Sequence, residues 1–411
     1  MARSFGHVVY NALSRRKPGS APREAPPRPE GELLWVHAAG VLRYSALCDL
    51  GLRLAASRPG LNTLVTVEAE RFETLPVARA GCFRIEPLGS DGPEAAQAFL
   101  RHWRPDVCLW TGGDLMPTLI GAAKAQAIPM VLVDVDESEW QSPLHKWFPA
   151  VLRETLGCFD TVMVTSPGAA KLVQRAGLPK SRITVTGRLG NSVTPPACPD
   201  RQLTRTVRDI NARPVWLAAH VPASEVGSVL AAHGAALRLL HRLLLVVTAA
   251  RREESDQLRA ALEQSGLRFA DWAAGGTIED GIQVVMAEDD SDLGLWYRIA
   301  PLTYIGGSLE PGGGGRNPLE PAALGSAILC GPEVRDHGDA FARLTASGAT
   351  RTVRTGDELA AAVVQLSAPD KAAAMALAGW EAVTESAQLT DGLIDLVQDL
   401  LDRREASHAG P

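Results

Sequence analysis

Short apolar runs recur along this chain, each followed by a stretch with helical spacing, and that rhythm restricts the possible folds more than any other feature. Runs at 33–38 (LLWVHA), 63–67, 107–110, 129–133, 161–164 and 183–186 alternate with helix-like segments at 44–57, 116–125, 144–156 and 169–176. Strands this continuously apolar are covered on both faces, which calls for a parallel sheet between layers of helices, and right-handed crossovers then give a Rossmann-like unit. The rhythm breaks at 190–201 (GNSVTPPACPDR), the best linker in the chain, and restarts with runs at 215–218, 243–248, 282–285, 302–305 and 327–329. The expected organisation is α/β: a flexible proline-rich arm over 1–30, one Rossmann-like domain over 31–195, and another over 200–411 that ends in two or three helices. Two such domains leave a cleft between the carboxyl ends of their sheets, where open α/β folds bind ligands.

A length of 411 residues suits two medium domains. With 41 Lys+Arg against 47 Asp+Glu the net charge is −6, so the chain lacks the basic excess that nucleic-acid phosphates demand. The six cysteines (Cys48, Cys82, Cys108, Cys158, Cys198, Cys330) are scattered without metal-ligand spacing or a disulfide framework, so no metal and a reducing compartment are expected. No stretch reaches the roughly 18 to 20 uncharged apolar residues of a membrane span. At the N-terminus Phe5, Val8, Val9, Tyr10 and Leu13 precede Arg15, Arg16 and Lys17. This is either a frayed terminus or a short amphipathic turn lying on an anionic membrane surface.

The richest motif is 302–325, LTYIGGSLEPGGGGRNPLEPAALG, in which a strand runs through a glycine loop into a helix. Gly306, Gly307 and the run Gly312 to Gly315 allow close backbone approach, and the helix start offers N–H groups to an anion, which makes this a candidate phosphate cradle. Asn317 suits an N-cap and Pro318 the first helical position. Glu320 either caps the same turn or accepts the hydroxyls of a ribose. No Walker lysine follows the loop and no GxGxxG follows the first strand, which removes the ATPase and dinucleotide readings. Arg251 and Arg252, at the end of the 243–248 strand, either grip a phosphate or acidic sugar or are solvated beside Glu253 and Glu254. In the first domain His37 is a hydrogen-bonded core residue or a substrate ligand. Asp114 and the cluster Asp134, Asp136, Glu137, Glu139 follow two other strands, where carboxylates either serve a sugar hydroxyl or form a solvated loop.

Taken in order, WVHA, RHWRPD, the GGDLMP segment, IPMVLV with Ser138-Glu139, CFDTVMVTS, RPVWLAA, LGLWY, GGSL and GGRNPLEPAALG resemble the Kdo transferases over about residues 33 to 400. The resemblance implies a GT-B-like fold and transfer of 3-deoxy-D-manno-octulosonic acid (Kdo) from CMP-Kdo to a lipid A precursor. It also implies that no metal or organic cofactor is used, and that the enzyme sits at the cytoplasmic face of the inner membrane. It assigns the first domain to the acceptor and the second to the CMP-sugar. Gly306, Gly307, Ser308, Asn317 and Glu320 match the family's CMP-binding motif, Arg251 matches the arginine of a Pro-Arg-His-Pro-Glu segment, and Arg316 stands at the histidine of GGHN. In a GEE segment on the nucleotide side, Ser224 replaces the first acid and Glu225 is retained. Where the family reads WVHAxSxGE, with the glutamate as general base, this chain reads WVHAAGVLR and places Arg43 there. Arginine holds its proton at any ordinary pH, so Asp114 and Glu139 are the expected substitutes. A catalytically weakened paralogue that binds a nucleotide sugar or glycolipid, and a transferase for another activated acidic sugar, are the alternatives.

Overall fold

The computed structural model describes residues 26–69, 72, 84–112, 115–141, 148–190, 193, 195–287 and 292–408. The chain divides into one unit of residues 1–192 with 385–411 and a second of residues 193–384.

The first unit runs β1 (Leu33–Ala38), α1 (Val41–Ser57), β2 (Asn62–Glu68), β3 (Arg84–Leu88), α2 (Pro93–Trp103), β4 (Val107–Thr111), α3 (Pro117–Ala125), β5 (Met130–Val135), α4 (Pro149–Gly157), β6 (Thr161–Val164), α5 (Pro167–Arg175) and β7 (Ile183–Val185). Its strands are parallel and ordered β3-β2-β1-β4-β5-β6-β7, so the direction of winding reverses between β1 and β4. Alternate residues of β1 serve opposite layers. Leu33 and Trp35 pack with Leu100 and Trp103 of α2 and with Leu119 and Ile120 of α3, whereas Leu34 and Val36 pack with Leu47, Leu50 and Leu54 of α1. Covering both faces is why these strands read as unbroken apolar runs.

The second unit runs α6 (Asp200–Ile210), β8 (Val215–Val221), α7 (Ala223–Leu237), β9 (Leu244–Ala249), α8 (Ser255–Ser265), β10 (Phe269–Asp271), β11 (Val284–Ala287), α9 (Leu293–Ile299), β12 (Leu302–Ile305), α10 (Leu319–Ala323), β13 (Ala327–Cys330), α11 (Gly338–Ala346), β14 (Thr350–Thr352), α12 (Gly356–Leu366) and the start of α13 (Pro369–His408). The sheet is again parallel, ordered β10-β11-β9-β8-β12-β13-β14, and reverses between β8 and β12. These are the two Rossmann-like α/β units that the rhythm implies.

The end of the chain differs from the expected division, in which residues 200–411 form one domain. From residue 385 onward the chain packs in the first unit. Leu389, Leu393, Val397 and Leu401 recur every fourth residue of α13 and join Leu34, Val36, Leu109 and Val131 in the same core layer. Arg404 Nη1 donates to the Asp106 carbonyl at 3.2 Å, and Arg58 Nη1 donates to Asp402 at 2.5 Å, fixing the helix end to this unit. Residues 26–30, expected to belong to the flexible arm, are part of the folded unit. Arg28 Nε donates to the Trp103 carbonyl at 2.8 Å, and His102 Nε2 meets the Pro26 carbonyl at 2.9 Å, so residues from 26 onward are strapped to the end of α2. The remainder of the arm, including the amphipathic turn, lies outside the described residues.

Two histidines are held neutral in these cores. His37 stacks on Trp110 with 3.9 Å between ring centroids, and its Nδ1 is 3.1 Å from Thr66 Oγ1. His233 accepts from Trp216 Nε1 at 3.1 Å, and its Nε2 meets the Gln283 carbonyl at 3.0 Å. Burial brings His37 down to about 3, helped by the Arg43 charge, and His233 down to about 4 despite the Gln283 carbonyl, from an ordinary 6.5. The unfolded chain therefore binds these protons at higher pH than the folded one. Their contribution is complete above about pH 6.5 and declines as the pH falls toward 4. Each histidine should impose a slope of up to about 1.4 kcal/mol per pH unit in that window. Urea unfolding at a series of pH values between 6.5 and 5 should show a flatter decline for His233→Gln than for the wild type; parallel declines would refute a buried neutral His233.

Candidate active site

Both candidate centres lie at carboxyl ends of strands beside a reversal of strand order, and each is organised around a buried carboxylate. In the second unit β12 ends at Ile305 and the chain enters Gly306-Gly307-Ser308 beside the end of β8. The Gly306 N–H donates to the Ala219 carbonyl at 2.8 Å, and a Cβ on Gly306 would lie 2.3 Å from the His220 carbonyl oxygen, so only glycine fits. His220 adopts a φ of 55°, where β8 slips register against β9 between Ala218 and Val221.

Behind the loop stands Glu225, in the first turn of α7 and completely buried. One of its oxygens accepts from Tyr304 Oη at 2.8 Å and from the Gly307 N–H at 2.9 Å. The other accepts from the N–H groups of Leu309 at 2.8 Å and Glu310 at 3.1 Å. Burial and this adjacent carboxylate push the Tyr304 phenol far above its ordinary value, so it remains a donor. Ser308, expected to face the donor, is itself buried. Its hydroxyl donates to the Ile305 carbonyl and accepts from the Gly331 N–H at 2.7 Å, which makes it a tie between loop and β13 rather than a ligand-facing group.

The rest of the loop closes on itself. The Gly315 N–H donates to the Gly307 carbonyl at 2.8 Å, and the Asp336 N–H donates to the Gly314 carbonyl at 3.1 Å. Asn317 Oδ1 accepts from the Leu319 N–H at 3.1 Å, but the helix begins one residue later than expected, at Leu319, so Pro318 and not Asn317 stands at the N-cap. Glu320 is half-buried in the first turn of α10. Arg316 is exposed and donates from Nη2 to the Ala250 carbonyl at 3.2 Å, which joins the glycine loop to the segment carrying Arg251 and Arg252. Both of those arginines are exposed, and among the described residues neither forms an ion pair. The neighbouring Glu254 is directed elsewhere and accepts from the Ala223 N–H at 3.2 Å. The Arg316 contact thus brings the glycine loop and the Arg251–Arg252 segment together, but the phosphate cradle needs correction. Three N–H groups of the expected cradle, those of Gly307, Leu309 and Glu310, already donate to Glu225.

In the first unit Arg43 lies in the first turn of α1, only 8% exposed. Its Nε donates to Asp134 Oδ2 at 2.6 Å, its Nη2 to the Asp134 carbonyl at 2.7 Å, and its Nη1 to the Ala39 carbonyl at 3.2 Å and to Glu139. Asp134 has a φ of 58° at the point where β5 slips register against β6, and its second oxygen accepts from the Leu189 N–H at 2.9 Å. Gly112, at the end of β4 with a φ of 78°, makes room for the guanidinium. A Cβ there would lie 2.6 Å from Arg43 Nη1. Asp136 receives Ser138 Oγ at 2.6 Å, Thr165 Oγ1 at 3.1 Å and Arg188. Burial acts to raise the Asp136 carboxyl, but the Ser138 hydrogen bonds and the Arg188 charge outweigh it and hold it below the usual range. His37 takes the core role. The structure therefore brings Arg43 and Glu139 into direct contact, while Asp114 lies outside the described residues. Among the described residues no group of three or more His, Cys, Asp and Glu side chains is placed to hold a metal ion. No described helix is long and apolar enough to cross a membrane.

The family model for 3-deoxy-D-manno-octulosonic-acid transferase (kdotransferase) matches residues 12–190, the part of the chain that carries the Arg43 cluster. A Haemophilus influenzae protein described as 3-deoxy-D-manno-octulosonic acid transferase is 24% identical over 385 residues, covering 92% of this chain and 88% of the relative. A Bordetella pertussis protein of the same description is 28% identical over 392 residues, covering 91% and 89%. The chain is thus similar to Kdo transferases along nearly its whole length. The match to these Kdo transferases extends through both units, so the glycine rim and the arginine cluster fall within the aligned region. Glu225, which the resemblance puts on the nucleotide side, is not among the expected donor-binding residues, and its contacts with the glycine loop are not visible in the sequence. Its signal is an acid in the first helical turn after the strand that borders the reversal.

The Arg43 cluster yields a clear expectation. Breaking a buried ion pair by removing one partner costs about 3–5 kcal/mol, because the remaining charge is left uncompensated. Arg43→Glu, which would set three carboxylates together, should lose at least that much in urea unfolding at neutral pH, and Arg43→Lys less. A loss below about 1 kcal/mol for Arg43→Glu, the size expected of a surface pair, would refute the cluster.

Proposed function

We propose that this chain transfers Kdo from CMP-Kdo to a hydroxyl of a lipid A precursor in lipopolysaccharide core biosynthesis. The work is done peripherally at the cytoplasmic face of the inner membrane, without a metal or organic cofactor. The observation that carries the reading is the nearly full-length match to relatives described as this transferase. The rim of Arg251, Arg252, Arg316, Gly306, Gly307, Asn317 and Glu320 supports it, because it offers cations for a phosphate and a half-buried carboxylate for sugar hydroxyls.

In the proposed step the acceptor hydroxyl oxygen bonds to the anomeric carbon of Kdo, and its proton passes to a carboxylate. The bond from that carbon to the CMP phosphate oxygen breaks, and CMP leaves with the electron pair. The arginines of the rim stabilise the charge that develops on the leaving phosphate. Arg43 cannot be the base. Glu139 is held by the Arg43 guanidinium, and that contact orients its carboxylate toward the cation rather than toward an acceptor hydroxyl. Asp114 is the remaining candidate.

The buried Arg43 cluster also favours a second reading, in which the chain retains the nucleotide sugar or glycolipid but is a weakened catalyst. Incubation with CMP-Kdo and a lipid A precursor, followed by mass spectrometry of the lipid, separates the two. A gain of one or more Kdo masses is expected, and retained CMP binding with no mass gain would establish the second reading. Within the first, Asp114→Asn should abolish turnover while calorimetry shows unchanged CMP affinity; wild-type rates would remove Asp114 from the mechanism.

A further inference from the structure

Glu225 is a fully buried carboxylate, and among the described residues no Lys, Arg or His pairs with it. Its charge is balanced instead by one phenol and three backbone N–H groups, all four on the strand and loop that form the candidate donor rim. A buried carboxylate is tolerated only where such donors converge on it, so the carboxylate and the loop conformation determine one another. We propose that Glu225 is the positioning residue of the donor loop: its negative charge turns the N–H groups of Gly307, Leu309 and Glu310 inward and thereby fixes the surface that receives the nucleotide. It touches the loop and not the donor. The inference rests on the reading of this rim as the seat of CMP.

The arrangement distinguishes a positioning role from simple packing. Glu225→Gln preserves shape and volume. The amide oxygen can retain Leu309 and Glu310, but the amide nitrogen, itself a donor, then faces the Gly307 N–H. Tyr304 can rotate its hydroxyl to accept from that nitrogen, whereas the Gly307 N–H has no such adjustment and loses its partner. The expected effect is therefore local: faster hydrogen exchange at Gly307, little change at Leu309, and an unchanged thermal midpoint for the rest of the second unit. CMP affinity should fall by about 2- to 10-fold, the range expected from loss of one hydrogen bond at a half-buried amide.

The test is residue-resolved amide exchange together with CMP calorimetry on the full chain, for wild type, Glu225→Gln and Tyr304→Phe. Lost protection at Gly307 with weakened CMP binding in Glu225→Gln, and near-wild-type behaviour in Tyr304→Phe, would establish the proposal. A folded Glu225→Gln variant with wild-type CMP affinity would overturn it, as would weakened binding with the Gly307 amide still protected. Failure of the wild type to bind CMP is a separate outcome: it would overturn the donor reading itself, and the positioning role with it.

Discussion

A carboxylate taken out of water must find donors for its oxygens, and at both reversals of strand order this requirement shapes the loops. In the second unit Glu225 is met by backbone N–H groups and a phenol, so the charge is spread over dipoles and the loop that supplies them is drawn into one conformation. In the first unit Asp134 is met by a guanidinium on one oxygen and by the Leu189 N–H on the other. The local backbone follows in each case: Gly306 lies hard against His220, and Gly112 stands clear of Arg43. The burial that excludes water is also what gives these contacts their strength.

The two solutions differ in what they leave for chemistry. Dipoles that solvate Glu225 leave the cations of the neighbouring rim uncommitted, so Arg251 and Arg252 keep their charge for an anion. The guanidinium that solvates Asp134 also draws in Glu139, so both carboxylates are committed to the same cation. Arg43 thus secures the loops around it while occupying the place where the family resemblance expects a base. A change of Arg43 alone cannot restore that base, because Asp134 and Glu139 would face the new carboxylate without a counter-charge.

The central strands were legible in the sequence because both faces are buried, and continuous runs such as LLWVHA or LTYI leave little other interpretation. The edge strands β3, β10 and β14 were not. Arg84–Leu88 carries Arg84, Glu86 and Pro87, and Thr350–Thr352 is three residues with an arginine at its centre. One side of such a strand has no neighbour, so nothing selects for apolar residues there. The return of α13 to the first unit was hidden for a different reason. The spacing of Leu389, Leu393, Val397 and Leu401 announces a helix but not which sheet it covers. The glycine loop was legible as a motif. The burial of Ser308 was not, because a serine after two glycines reads equally as a ligand or as a tie. Glu225 and Asp134 act on partners some 80 to 90 residues away, and pairings of that range leave no local pattern.

The same pairings bear on how a nucleotide would be held. A glycine loop that leads into a helix is ordinarily read as an anion site, since its N–H groups and the helix start favour negative charge. Here the N–H groups of Gly307, Leu309 and Glu310 already serve a negative charge inside the protein, and α10 is a single short turn. The loop's contribution is then shape: a backbone surface with few projecting side chains, held rigid from below. Under the proposed function the attraction for phosphate would fall to Arg251, Arg252 and Arg316, which lie at the end of β9 and on the glycine loop, with Arg316 bonded to the Ala250 carbonyl beside Arg251. Shape from the glycines and charge from the arginines are separable contributions. Screening by salt acts on the second and leaves the first intact.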